Sequence, residues 1–347
     1  MRCSVPLLVF GALALASLAS AKPVKLGVIT ELVNFGDSLT DNGNGSYLLT
    51  NKTWPADPAY FNGRFSNGPT YVEYLARSLF SRSPSGPITD QGLRDLSYGG
   101  ATIDNTRVQG YTGPKSTIPV PDVFAQIDTY LSSKRGSIHI SNAKKLFLVS
   151  GGLNDIFFAI GTPIFESPEK FAEGSAKRLM QAVEALRKAG AIHFIIPYGP
   201  KLDALPYTSA SSPSVQASFS AYSKALHLAL QKRAKAYLRA HPLLRIVLFD
   251  GDVDSTLGGG DAFKVTDKPC LVGAYGEAPR SLCAEPDQHL FWDLYHPTTR
   301  AHSFLAQKAF MAIKRAGLHS IPSPAAFRTS ANDEPTFQIG ISRQVHI

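Results

Sequence analysis

Short apolar runs alternate with longer amphipathic segments through most of this chain, and that alternation limits the folds open to it. Strand-like apolar runs occur at residues 24–33, 93–103, 145–150, 191–197 and 244–250. Segments whose apolar residues recur at helical spacing occur at residues 69–81, 122–133, 167–190, 214–240 and 297–316. Strands that alternate with helices in this way predict an α/β fold, in which helices cover both faces of a parallel sheet.

The chain is long enough to bury a sizeable core in one domain, since it has 347 residues, 44% of them hydrophobic, and no internal repeat. Residues 1–21 combine Arg2 with an apolar run and end in Ala-Ser-Ala, a pattern that signal peptidase cleaves. A transmembrane anchor is the alternative, but the run is short for a bilayer. We therefore predict a signal peptide at 1–21, a secreted, extracellular chain from Lys22 with one domain over 22–320, and a partly disordered tail over 321–347.

The charge pattern argues against a nucleic-acid partner. The formal net charge is +8, but the Lys and Arg residues are spread thinly and form no dense cluster interleaved with aromatics. No segment after residue 21 is long and apolar enough to span a membrane, so we expect no stable membrane insertion. No H-E-x-x-H motif or close Cys/His cluster predicts a metal site.

The most informative turn is VNFGDSLTDNGN, at residues 33–44, which follows the first apolar run. Open α/β sheets bind ligands at the carboxyl ends of their strands, so Ser38 is placed to act as a nucleophile. Gly36, Asp37 and Ser38 are also ordinary turn and cap residues, and the turn alone does not decide between these interpretations. Three later fragments favour chemistry, because each carries a group that an activated serine needs.

The first of these groups is an acid–base pair in FWDLYHP, at residues 291–297. A serine hydroxyl is a weak nucleophile until a histidine takes its proton, and that histidine needs a partner to hold its tautomer. The spacing lets the carboxylate of Asp293 bond back to the imidazole of His296. The alternative is a capping Asp and a surface His before the helix that follows.

The other two fragments offer hydrogen-bond donors for an oxyanion. Gly99 and Gly100 bring a backbone N–H close to a ligand because no side chain intervenes. Asn154 follows the apolar run 145–150 and offers its side-chain amide. Taken separately, a double glycine and an Asn-Asp pair are ordinary turn chemistry.

Secretion would give two further kinds of site. Cys270 and Cys283 lie in a Gly- and Pro-rich stretch, and an oxidising compartment predicts a disulfide between them, with two unpaired thiols as the alternative. Asn44 and Asn51 fit the N-glycosylation pattern. Asn51 is the better acceptor, because a glycan on Asn44 would crowd Ser38.

Together, four fragments resemble the catalytic blocks of the GDSL, or SGNH, hydrolase family, in the family's order. They are GDSL at 36–39, YGGAT at 98–102, GGLND at 151–155 and DLYHP at 293–297. The resemblance implies the SGNH hydrolase fold, a flavodoxin-like three-layer α/β/α sandwich with a central, mainly parallel five-stranded sheet. It also implies that no cofactor or metal is needed.

The same resemblance assigns roles to residues. It implies Ser38 as nucleophile, His296 as acid and base, and Asp293 as the residue that orients His296. The oxyanion hole would be formed by the N–H groups of Ser38 and Gly100 and by the side chain of Asn154, where Gly100 is preferred to Gly99 by alignment of the double glycine. The turn before the double glycine departs from the family pattern, which often opens this block with Asn where this chain has Asp95 and Ser97.

We expect a secreted serine esterase that hydrolyses carboxylic esters through an acyl-enzyme, acting on small-molecule or oligosaccharide esters. Short acyl groups, above all acetyl groups on carbohydrate, are favoured because the aromatic loop 46–68 is otherwise polar and no amphipathic lid is visible. Its aromatics, Trp54, Tyr60, Phe61 and Phe65, could stack on a sugar or pack onto the domain. The alternatives are a lipase or lysophospholipase for longer acyl chains and a secreted carbohydrate-binding protein with the same fold.

Overall fold

The computed structural model describes residues 29–56, 59–80, 92–133, 142–252 and 262–318. The predicted signal peptide at 1–21, the tail at 321–347 and the start of the first predicted strand lie outside these ranges. The predicted division of the chain at residues 21 and 320 therefore stays a prediction.

The described residues alternate strands and helices as the sequence predicts. The strands are β1 Glu31–Phe35, β2 Leu93–Asp95, β3 Tyr111–Thr112, β4 Ile118–Pro119, β5 Lys145–Val149, β6 His193–Tyr198, β7 Arg245–Asp250, β8 Val265–Pro269, β9 Leu271–Val272, β10 Ser281–Leu282 and β11 His289–Phe291. The helices are α1 Ser46–Leu49, α2 Tyr71–Phe80, α3 Val123–Ser132, α4 Leu153–Ala159, α5 Pro168–Lys188, α6 Pro206–Ser209, α7 Pro213–Ala240 and α8 Thr299–Arg315.

A five-stranded sheet in the order β2-β1-β5-β6-β7 forms the centre, and every pairing in it is parallel. Successive side chains on a strand point to opposite faces. In β5, Leu146 and Leu148 join the core closed by α2 and α8, whereas Phe147 and Val149 join the core closed by α3, α5 and α7. The predicted three-layer α/β/α sandwich with a parallel five-stranded sheet is confirmed.

The strand order creates a crevice beside β1. The chain leaves β1 for β2 on one side and then returns past β1 to β5 on the other. At such a switch point the connections diverge and leave open the carboxyl ends of the strands, where α/β sheets bind ligands. Ser38 follows β1 by three residues, so it lies at this crevice.

Helix starts follow the capping residues closely. Asp122 accepts a hydrogen bond from Ala125 N–H, and Ser167 accepts one from Lys170 N–H, as N-cap side chains do. Pro168 occupies the first turn of α5, where its missing N–H has no cost. The last helix begins after Thr298, which caps it, and not at Pro297.

Several predicted boundaries need correction. The second strand ends at Asp95 and not near residue 103, because the Asp95 carboxylate accepts bonds from Ser97 N–H and Oγ and turns the chain. The first strand continues to Phe35, two residues past its predicted end. The loop at 46–68 and the segments 105–121 and 251–287, for which the sequence predicts no strand or helix, contain short elements, namely α1, the β3–β4 pair and strands β8 to β10.

Candidate active site

The turn that carries Ser38 is fixed from below by the side chain of Gln126. Its Oε1 accepts the N–H of Gly36 and its Nε2 donates to the Gly36 carbonyl, each at 2.9 Å. A β-carbon on Gly36 would lie 2.5 Å from both Ser150 Oγ and Thr40 Oγ1, so only glycine fits there. Ser38 is half-buried and lines a cavity.

Ser38, His296 and Asp293 form one continuous series of contacts. His296 Nε2 lies 2.9 Å from Ser38 Oγ, and His296 Nδ1 lies 2.9 and 2.8 Å from the two carboxylate oxygens of Asp293. Asp293 Oδ1 also accepts the N–H groups of Tyr295 and His296 at 2.8 Å. The predicted back-bond across one turn is therefore present.

Asp293 remains ionised although it is fully buried. Burial works to raise the pKa of Asp293, but the nearby His296, the backbone N–H of Tyr295 and the hydroxyl of Tyr60 together hold that pKa below its ordinary value. A charged carboxylate against Nδ1 favours the tautomer that carries its proton on Nδ1. The free Nε2 lone pair then faces Ser38.

The predicted oxyanion donors surround the same cavity. Gly99 N–H donates to Asp41 Oδ2 at 2.9 Å, which occupies it, while Gly100 lines the cavity with φ +87°. A β-carbon on Gly100 would lie 1.9 Å from the carbonyl oxygen of Tyr111. The backbone geometry thus favours Gly100 over Gly99 as a donor to a ligand.

Asn154 lies in the first turn of α4, a helix that sequence analysis treated only as a fragment after a strand. Its Nδ2 donates to the carbonyl of Ala101 at 2.9 Å, and the residue lines the cavity. A side-chain amide carries two hydrogens, so one remains for a ligand. The bond to Ala101 fixes the plane of the amide and hence the direction of that hydrogen.

The cavity has a volume of about 240 Å³ and is open to solvent. Ser38, Gly100, Asn154 and His296 all border it. Apolar side chains line the cavity with them: Leu153, Phe157, Phe158, Leu202, Leu205 and Tyr207. A ligand here would therefore place a polar group near Ser38 and an apolar group against α4 and α6.

The aromatic loop packs onto its own domain. Trp54, Tyr60 and Phe65 are buried, with the Phe65 ring 5.2 Å from the His296 ring, and Phe61 is exposed. Of the two interpretations drawn from the sequence, packing therefore describes Tyr60, while Trp54 and Phe65 also line the cavity. The Phe65 ring covers one side of the imidazole.

Asp41 was not predicted from the sequence as a residue of the site. Its carboxylate joins the loop after Ser38 to the Gly99–Gly100 turn. It accepts N–H bonds from Gly43, Gly45 and Ser46 in the first loop and from Gly99 in the second, at 2.8–3.1 Å. Burial raises the pKa of Asp41 above its ordinary value. The run DNGNG after Ser38 was the signal, since an Asp followed by glycines is typical of a loop folded around its own carboxylate.

The departure at Asp95 also acquires an explanation. Its carboxylate accepts bonds from Asn34 Nδ2, Asn42 N–H and Ser97 at 2.6–3.1 Å. It therefore ties the end of β1 to the Ser38 loop and the second block.

The structure also describes the cysteines and the glycosylation candidates predicted from the sequence. Cys270 and Cys283 form a disulfide with Cα atoms 4.9 Å apart. Asn44 and Asn51 are exposed, and Asn44 does not line the cavity; glycosylation stays a prediction. Within the described ranges, no group of three or more His, Cys, Asp or Glu side chains could hold a metal ion. In the same ranges, the structure contains no helix with the length and apolarity of a membrane span.

A serine, a histidine and a carboxylate in contact at the carboxyl end of a parallel sheet are the arrangement of serine hydrolases. A family model described as GDSL-like Lipase/Acylhydrolase matches residues 32–309. The chain belongs to this GDSL family and is a carboxylic ester hydrolase.

Individual relatives are distant. A GDSL esterase/lipase of Arabidopsis thaliana is 25% identical over 339 residues, covering 84% of this chain and 89% of that protein. A thermolabile hemolysin of Vibrio parahaemolyticus is 27% identical over 296 residues, covering 81% of this chain and 63% of that protein. Among solved structures, an acetyl xylan esterase from Geobacillus stearothermophilus aligns with a TM-score of 0.42 and 15% identity, over 86% of this chain and 100% of that chain.

Proposed function

We propose that this enzyme hydrolyses carboxylic esters through an acyl-enzyme on Ser38, with His296 as general base and acid and Asp293 as its orienting carboxylate. The observation that carries the proposal is the unbroken contact from Ser38 Oγ through His296 to Asp293, at 2.8–2.9 Å, at the edge of a cavity. Contacts of this length allow proton transfer without a large movement.

The proposed reaction has two halves. Ser38 Oγ attacks the ester carbonyl carbon while His296 Nε2 takes the hydroxyl proton, and the tetrahedral intermediate then expels the alcohol, which receives that proton. Water enters, gives a proton to His296 and attacks the acyl carbon. Collapse of the second intermediate returns the proton to Ser38 and releases the acid.

Three donors support stabilisation of the oxyanion. Ser38 N–H, Gly100 N–H and the second Nδ2 hydrogen of Asn154 border the cavity on the side of Ser38. Donors fixed by the surrounding structure need no reorganisation when the negative charge forms, and each contributes roughly 2.7–4 kcal/mol.

The cavity supports an acyl chain longer than acetyl. Leu153, Phe157 and Leu205 line it within the same enclosure as Ser38. Its volume of about 240 Å³ leaves room for an acyl chain longer than acetyl. Such substrates correspond to the lipase alternative, with acyl chains at the short end of the lipase range. Acetyl esters of carbohydrate, the preferred prediction from the sequence, remain the second candidate because the smaller acyl group also fits.

The proposed compartment is extracellular. A disulfide between Cys270 and Cys283 supports export, since disulfides persist in oxidising compartments. The apolar run and Ala-Ser-Ala sequence in residues 1–21 support cleavage before Lys22.

The experiment is hydrolysis of p-nitrophenyl esters from acetate to palmitate by the exported wild-type protein and by Ser38→Ala, with acetylated xylo-oligosaccharide as a further substrate. The amino-terminal residue of the exported protein is read at the same time, and Lys22 is expected. We expect Ser38→Ala to lose at least about a thousandfold in kcat. Wild-type kcat/KM should peak between butyrate and octanoate.

Each alternative has its own result. Residual hydrolysis by Ser38→Ala close to that of the wild type would remove Ser38 from the mechanism. A maximum at acetate together with rapid deacetylation of the oligosaccharide would replace the longer acyl chain with the carbohydrate substrate.

A further inference from the structure

The two carboxylate oxygens of Asp293 share one partner, His296, and differ in their other partners. Oδ1 accepts the backbone N–H groups of Tyr295 and His296 as well as Nδ1 of His296. Oδ2 accepts Nδ1 of His296 at 2.8 Å and the hydroxyl of Tyr60 at 2.7 Å. Because Asp293 is 0% exposed, no solvent is available to replace Tyr60 at Oδ2. One face of the carboxylate therefore depends on a residue 233 positions away in the sequence.

Tyr60 is itself oriented by Arg280. Arg280 donates from one terminal nitrogen to the Tyr60 oxygen at 2.9 Å and from the other to the carbonyl of Leu271 at 3.3 Å. Because the phenol oxygen accepts the Arg280 bond, its own proton points away, toward Asp293. An acceptor that is bonded to a cation becomes a stronger donor.

The phenol keeps that proton at neutral pH. Burial and the negative charge of Asp293 raise the pKa of Tyr60 far above its ordinary value. Tyr60 can therefore act toward Asp293 only as a donor. Its ring packs against Trp54 and Phe65, with centroids 6.2 and 6.4 Å away, so that the hydroxyl has little freedom to turn.

We propose that Tyr60, oriented by Arg280, is a positioning residue of this enzyme that holds the carboxylate of Asp293 in line with His296. The proposal rests on the proposed function, since it assigns work to a residue that touches Asp293 and not the substrate. Tyr60 limits how much of the Asp293 charge acts on His296 and keeps Oδ2 from rotating away.

The chain contains a matched control for this pair. Tyr130 is also fully buried, donates from its hydroxyl to a side-chain oxygen of Asn142 at 2.8 Å and accepts a bond from Lys145 Nζ at 3.1 Å. These residues lie at the amino end of β5, the end of the sheet opposite to Ser38. Tyr130→Phe therefore deletes the same kind of bond without touching the site.

The experiment compares Tyr60→Phe, Tyr130→Phe and Ser38→Ala in steady-state hydrolysis of p-nitrophenyl butyrate across pH 5–9, after thermal unfolding has shown each variant to be folded. We expect Tyr60→Phe to lose about tenfold in kcat with KM nearly unchanged, since one hydrogen bond to a charged group is lost. The acid limb of kcat/KM should move to higher pH, because the negative charge of Asp293 is then no longer shared with Tyr60. Tyr130→Phe should change neither.

A second variant, Arg280→Met, tests the order of the contacts. We expect a smaller loss of kcat than in Tyr60→Phe and no added loss when the two changes are combined, because Arg280 acts through Tyr60. Losses that multiply in the double variant would overturn this order. If Tyr60→Phe matches Tyr130→Phe in kcat and pH profile, the positioning role is wrong, and the role of Ser38 is judged separately from Ser38→Ala.

Discussion

At the scale of single residues, a buried carboxylate and a buried amide hold the turns that carry the residues of the site. Asp41 joins the Ser38 loop to the Gly99–Gly100 turn through four N–H bonds, so one side chain sets the separation between two parts of the proposed oxyanion hole. Gln126 holds the Ser38 turn by accepting the N–H of Gly36 and donating to its carbonyl. A substitution at either position should therefore change the rate without altering any group that touches substrate.

Asn154 gives the sharpest test at this scale. Asn154→Ala removes a donor that is needed when negative charge develops, and we expect kcat to fall roughly 100- to 1,000-fold while KM changes little. Steady-state kinetics on a p-nitrophenyl ester measures both constants. Asn142→Ala is the control, since Asn142 also donates from Nδ2 to a backbone carbonyl, that of Ala189, away from the cavity. Equal losses in the two variants would contradict a role for Asn154 in the oxyanion hole.

At the scale of elements, the segment closed by the disulfide supports the turn that carries Asp293 and His296. Cys270 N–H donates to the carbonyl of Phe291 at 3.0 Å, and Leu271 N–H donates to that of Trp292 at 2.7 Å. Trp292 N–H in turn donates to the carbonyl of His296 at 2.7 Å. Cys270 and the start of β9 thus brace the two residues that precede Asp293.

Removing the disulfide tests how much this segment contributes to stability. The double change Cys270→Ala and Cys283→Ala frees a loop with a sequence separation of 13 residues. We expect the free energy of unfolding to fall by about 3 kcal/mol, chiefly because the unfolded chain gains freedom. Urea denaturation of the oxidised wild type and the double variant measures the difference. An unchanged midpoint and slope would show that the disulfide adds nothing to the free energy of unfolding.

At the scale of the whole molecule, the local motifs were predictable and the long-range bonds were not. Ser38, Asp293 and His296 each lie in a short fragment whose residue types predict a role in catalysis. Tyr60 gave no such sign, because its partner Asp293 is 233 residues away and only the folded chain brings them together. The strand ends were misplaced for the same reason. The end of a strand is set by its partner strands and by side-chain bonds such as those of Asp95, and not by the length of its apolar run.

Buried titratable groups make the stability of the whole chain depend on pH. Burial raises the pKa of Asp155 to about 7, so its contribution is complete below its ordinary pKa and is lost as pH rises through 7. Burial lowers the pKa of His302 to about 3, so its contribution is present above its ordinary pKa near 6.5 and is lost as pH falls below that value. The contribution of Asp155 to the free energy of unfolding should therefore rise by about 1 kcal/mol from pH 8 to 6.5, and the contribution of His302 opposes that rise.

Urea denaturation at several pH values measures this profile, with Asp155→Asn as the matched variant. Asparagine keeps an oxygen for the N–H of Ile103, which Asp155 accepts at 3.0 Å, but does not titrate. The rise from pH 8 to 6.5 should shrink in Asp155→Asn. An identical profile in both proteins would assign the pH dependence to other groups.

The distance along the chain between Ser38 and His296, 258 residues, sets the moment at which activity can arise during synthesis. A nascent chain acquires its serine early and all five strands of its central sheet by residue 250, yet it lacks the proposed base until the ribosome has added His296. A product of a premature stop between residues 250 and 296 would contain all five strands and lack that base. The cell that makes this esterase is thus not exposed to its activity before translation of the chain is nearly complete.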